Sequence, residues 1–81
     1  MTRALHVTEL RVPDAERATY LAALPARTSR AAAVPAHFWV FEHAADPGHF
    51  LEFTEAASDA LLATALGVEN VTDRWREVQG G

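Results

Sequence analysis

Glu42, Glu52 and four histidines (His6, His37, His43 and His49) are the side chains of this sequence best suited to move a proton or hold a metal. Glu42 and Glu52 lie at matching parity in two strand-like runs, 37–43 and 49–55, which places both on one sheet face. Enclosed in an apolar site, their carboxyls would be desolvated and their pKa values raised. Either could then act as a general base on a phenolic or enolic substrate. The plainer alternative sets them at a wet edge, or in ion pairs with Arg11 or Arg74. His6 lies in a third strand-like run. With Thr8 and Leu10 it either faces that same side, as a proton-transfer partner for Glu52, or points away and leaves Glu9 inward. The alternation leaves both open. His43 and His49 flank a turn, and imidazole suits zinc, copper or nickel. Structural zinc normally needs four protein ligands, and neither a Cys nor a well-spaced carboxylate joins the pair. The reading is a solvated hairpin end with no metal, and no motif implies a cofactor.

These residues must be positioned by short elements. Residues 3–12, RALHVTELRV, alternate with a period of two and predict a first strand. Pro13-Asp14 opens a helix over about 14–24, with Ala18, Leu21, Ala22 and Leu24 as its apolar stripe and Arg17 on the wet side. Pro25 ends or kinks it. Residues 26–34 either resume as a short helix or run as a loop, closed by Pro35. HFWVFEHAADPGHFLEFTE then reads as a hairpin, with Pro47-Gly48 supplying the turn. A five-residue loop pairs His43 with His49, Phe41 with Leu51, Trp39 with Phe53 and His37 with Glu55. Ser58 caps a second helix over about 59–66, stopped by Gly67. The tail reads either as a short last strand, which the topology favours, or as a helix with Val71, Trp75 and Val78 aligned.

The order β-α-β-β-α-β is that of the ferredoxin-like α+β arrangement, a four-stranded antiparallel sheet with both helices on one face. The apolar Trp39, Phe41, Leu51, Phe53 set is expected under the helices. The mixed set of Phe38, Val40, Glu42, Phe50, Glu52 and Thr54 is expected on the bare face, where a second copy would cover it. Phe38, Val40, Phe50 and Thr54 are therefore the candidate ligand contacts. Trp75 is either a dimer contact or pocket wall, or ordinary packing.

Composition narrows the class. Eighty-one residues make one domain (1–81), with a core that is marginal on its own, and no cysteine is present to staple it. A hydrophobic share of 49% suits a globular chain. A net charge of −4, with Arg as the main base and no Lys, argues against nucleic acid or an anionic membrane as the main partner. No apolar run is long enough to span a bilayer, and the first ten residues lack a signal-peptide core, so cytoplasmic residence is the expectation.

The β1-to-α1 start LRVPDAERATYLAAL and the run His37–Ala57, with DPGHFLEFTEA, resemble the dimeric α+β barrel superfamily, and within it small domains of the antibiotic-biosynthesis monooxygenase type. The resemblance implies a homodimer whose facing sheets enclose a small ligand. It also implies activities such as cofactor-free oxygenation of polyketide quinols, haem degradation or cyclase-type tailoring. The strand-end Trp common in such oxygenases is Ala56 here, and SDALLATAL lacks the second-helix His of haem-degrading members, so the family's catalytic residues do not carry over. The expectation is a small-molecule enzyme or binder acting on an apolar, aromatic or polyketide-like compound. The alternative is a non-catalytic homodimeric module with a filled barrel. Gly80-Gly81 resembles the diglycine tail of ubiquitin-like sulfur carriers, but those begin with a hairpin, and here a helix follows the first strand at once.

Overall fold

A computed structural model describes residues 2–78, and the Gly80-Gly81 reading lies outside them. Strand β1 (Ala4–Arg11) leads through a 3₁₀ turn (Asp14–Glu16) into helix α1 (Arg17–Ala32). Strands β2 (Ala36–Glu42) and β3 (His49–Ala56) form the hairpin. Helix α2 (Asp59–Leu66) and a two-residue strand β4 (Trp75–Arg76) follow. The sheet order is β2-β3-β1-β4, antiparallel throughout, an α+β arrangement compatible with the ferredoxin-like fold. In this order β1 runs parallel to β2, and β3 to β4. Each such pair is joined by a helical crossover, and crossovers of one hand place both helices on the same face. The other face stays open.

The hairpin has the register read from its turn: His37 opposite Glu55, Trp39 opposite Phe53, Phe41 opposite Leu51. The His43 amide donates to the His49 carbonyl at 2.8 Å, continuing it. Gly48 has φ +87°, and its carbonyl oxygen accepts from the Val12 amide at 2.8 Å. A Cβ there would sit 2.7 Å from the Val12 oxygen, so the turn needs glycine twice over. The Ser58 side chain accepts from the Leu61 amide, and Gly67 ends α2 at φ +72°. The tail forms the short strand, with Trp75 opposite Leu5.

Two expectations are overturned. Helix α1 does not end at Pro25: residues 26–32 are helical, as one of the two readings has them, but they continue α1 and form no separate helix. Pro25 cannot donate to the Leu21 carbonyl, yet both residues are exposed, so water can serve that oxygen. The turns beyond Pro25 are held by contacts to the sheet: the ion pair of Arg27 with Glu52, and buried Ala31.

The second correction is larger. The helices cover the mixed face, not the aromatic one. β3 alternates between half-buried and buried residues, and the buried ones are Phe50, Glu52, Thr54 and Ala56. The register adds Ala4, His6, Thr8 and Leu10 from β1, and Ala36, Phe38, Val40 and Glu42 from β2, to this covered side. The core at one end is built of small residues (Ala4, Ala31, Ala36, Ala56, Ala63, Ala65) around Leu62 and Val71. The physical reason lies in α1. Arg17, Tyr20, Leu24, Arg27 and Ala31, spaced three and four apart, form its less exposed stripe. Arg17, expected on the wet side, belongs to it. That stripe carries cations and a phenol, which match a face carrying carboxylates.

Candidate functional site

The covered face holds all three residues read as proton-transfer candidates, and both carboxylates sit within closed sets of contacts. Arg17 of α1 meets Glu42 with both terminal nitrogens, one of them (Nη2) donating to Oε1 at 2.8 Å. The Gly48 amide donates to Glu42 Oε2 at 2.9 Å. The guanidinium first, and then this amide, hold the Glu42 carboxyl down at about 2. Arg27 donates to Glu52 through both terminal nitrogens, at 2.7 and 2.8 Å, and the Tyr20 hydroxyl donates at 2.5 Å. Glu52 is buried, but Arg27 outweighs desolvation and its pKa is lowered. Burial, and then its bond to Glu52, push the Tyr20 hydroxyl well above its usual range. The expected upward shift of both carboxyls is therefore a downward one. The partners are Arg17 and Arg27, not Arg11 and Arg74, which pair with Asp46 and Asp59. A carboxylate so stabilised is a weak base, and this constellation fastens α1 to the sheet. His6 faces the same side, its Nδ1 3.5 Å from the Thr8 hydroxyl. The orientation left open in β1 is thus resolved, with Glu9 on the opposite face.

The residues read as ligand contacts divide. Phe38, Val40, Phe50 and Thr54 lie under the helices. Phe50 packs on Tyr20 with ring centroids 4.7 Å apart, and Arg27 sits over the Phe38 ring at 4.6 Å. Trp75 lies on the open face, through its pairing with Leu5.

The open face is the candidate site. By register it presents Leu5 and Val7 of β1, Trp39 and Phe41 of β2, Leu51 and Phe53 of β3, and Trp75 of β4. Trp39, Phe41 and Trp75 are 45%, 59% and 63% exposed. Phe41 meets Phe53 edge-on at 5.6 Å, and His37 stacks on Trp39 at the same distance. Charged residues bound the apolar middle. At the hairpin end, Glu9 contacts His49 Nε2, Asp46 lies 3.3 Å from His49 Nδ1, and Arg11 pairs with Asp46 at 2.8 Å. His43 stacks on His49 at 5.4 Å, and its Nδ1 accepts from the Ala45 amide, which leaves the proton of the neutral ring on Nε2. At the other end Arg3 pairs with Glu55 at 3.1 Å, and His37 lies 4.0 Å from it. A depression of about 290 Å³ lies at the hairpin end between Glu9, Phe41, His43, His49 and Leu51, and Glu42 reaches its edge. Another of about 200 Å³ lies between Leu5, Glu55 and Trp75. Such a face can take flat apolar groups by stacking and offer imidazole or guanidinium donors at its ends. Among the described residues no group of three or more His, Asp or Glu is placed to hold a metal ion, and no helix is long and apolar enough to cross a membrane.

Reading the sequence for apolar stripes misses Arg17, Tyr20 and Arg27. The signal for them was present: their spacing follows the helical period and their polarity complements Glu42 and Glu52. The chain matches no protein-family model, no curated protein and no solved structure.

Proposed function

We propose that two copies of this chain pack their open sheet faces together as a dimeric α+β barrel, and that the barrel binds a small apolar or aromatic compound. One observation carries this reading. Both tryptophans and Phe41 lie outside the core of the single chain, while the buried apolar residues, Phe50 aside, are mostly alanine. Each such side chain, on being covered, contributes about 1.5–3 kcal/mol. A contiguous apolar face on a small domain marks an interaction surface, and a second copy supplies the burial that an 81-residue core lacks. The two depressions and the His43, His49 and Glu9 group at the hairpin end would then line the enclosed space. The resemblance to cofactor-free monooxygenases and tailoring enzymes extends the reading to chemistry on a polyketide-like compound, with the His43 and His49 imidazoles and the Arg17-bound Glu42 at the hairpin-end depression, and not Glu52, nearest the ligand. The second reading is a non-catalytic module. It is favoured by the size of Trp39, Phe41 and Trp75, which from two copies could fill the space themselves.

Both tryptophans of the chain lie on this face. Dilution of a dimer should therefore red-shift the tryptophan emission in step with the loss of dimer in sedimentation. Phe41→Glu should give a folded single chain. Saturable quenching by 2-naphthol in the dimer supports the binding role, and a dimer that ignores it supports the filled barrel. A chain that sediments as a monomer at every concentration ends both readings.

A further inference from the structure

A separate cavity of about 60 Å³ lies on the covered side of the sheet, between α1, α2 and the β2-β3 hairpin. Arg27, Arg30, Phe38 and Thr54 line it, with Ala31, Ala65 and Leu66 as its apolar wall. We propose that it is a binding site for a small monocarboxylate, held by the Arg27 and Arg30 guanidinium groups. Arg27 spends two N–H groups on Glu52 and keeps three, and the Phe38 ring beneath it fixes the plane of the fork. Arg30 forms no ion pair among the described residues. Its Nη1 lies 4.0 Å from where a Cβ on Gly67 would stand, so the head group rests at the C-terminal end of α2. The negative end of that short helix holds the cation in place without cancelling its charge. Two guanidinium groups against the one carboxylate of Glu52 leave one positive charge, which fits a monoanion. The planar, paired donors fit a carboxylate. The small space admits one or two carbons beside Ala31, Ala65 and Leu66, and not an aromatic ring. This site is on the opposite face from the proposed dimer contact and does not depend on it.

The test is a titration of the full chain with sodium acetate, followed by amide NMR shifts, with ionic strength held constant by sodium chloride. Saturable shifts confined to Ala31, Thr54, Ala65 and Leu66 are expected, with benzoate producing none. Arg30→Gln, at an exposed position, should keep the fold and weaken acetate by roughly tenfold, the loss of one charge-assisted contact. Phe41→Glu should bind acetate as the parent chain does. Shifts that merely follow chloride, an Arg30→Gln chain that binds equally well, or phosphate binding more tightly than acetate would each overturn the proposal.

Discussion

Glu42 and Glu52 show how a carboxylate is disarmed as a base. Each faces an arginine from α1 at matching height, and each carries a further donor, the Gly48 amide or the Tyr20 hydroxyl. Because the Glu42 pKa is depressed to about 2 from 4.5, its contribution to stability is complete above the unfolded value and lost as pH falls toward 2. Denaturant midpoints measured from pH 5 to pH 2 should therefore fall with acidification. In Glu42→Gln the fall should be shallower, and an unchanged slope would show that the Arg17 pair is not formed in solution. Arg27→Ala should destabilise by about 2–4 kcal/mol, because it strands a buried carboxylate with only the Tyr20 hydroxyl as partner. Replacing both partners, as in Arg27→Met with Glu52→Leu, should restore much of that loss, measured by urea unfolding.

At the scale of elements, proline and glycine act in opposite senses. Pro25 sits in the interior of α1 and leaves the Leu21 carbonyl to solvent. Pro25→Ala supplies the missing amide at an exposed position. Set against the greater freedom of the unfolded chain, it should raise stability by about 1–2 kcal/mol. Gly48 is the reverse. Its positive φ and the Val12 oxygen beneath it leave no room for a side chain, so Gly48→Ala should cost about 1–3 kcal/mol and weaken the β1 contact of the hairpin turn. Both follow from thermal unfolding monitored by circular dichroism. The tail illustrates a third case. Val71 anchors in the core, which commits the following residues to the free edge of β1, so Trp75 and Arg76 pair as a strand although their spacing suits a helix as well.

For the whole molecule, the two faces of the sheet predict different failures for similar substitutions. Phe50 is 2% exposed against Tyr20, and Phe50→Glu should prevent folding, since an unpaired charge there costs several kcal/mol against the marginal stability of a small domain. Phe41 is on the open face, where the same change should leave helical content intact and alter only association. Comparing the two variants by circular dichroism and sedimentation separates folding from dimerisation. If Phe41→Glu unfolds and Phe50→Glu does not, the assignment of the faces is reversed.

The sequence by itself determined much of this protein. Alternation in 37–43 and 49–55 together with Pro47-Gly48 sets the hairpin and its register. Ser58 and Gly67 bound α2, and the element order dictates an antiparallel α+β sheet with one face uncovered. These are local or nearest-neighbour properties, written in turn chemistry and periodicity. Only the tertiary structure decided which face the helices take. Alternation divides a strand into two sides without labelling them, and hydrophobicity alone favours the aromatic side for the core. The label comes from pairing across 25 to 32 residues of chain, where Arg17, Tyr20 and Arg27 find Glu42 and Glu52. A charge that is costly to bury alone becomes a fastening once its partner is present, and no window along the chain contains both halves of that pair.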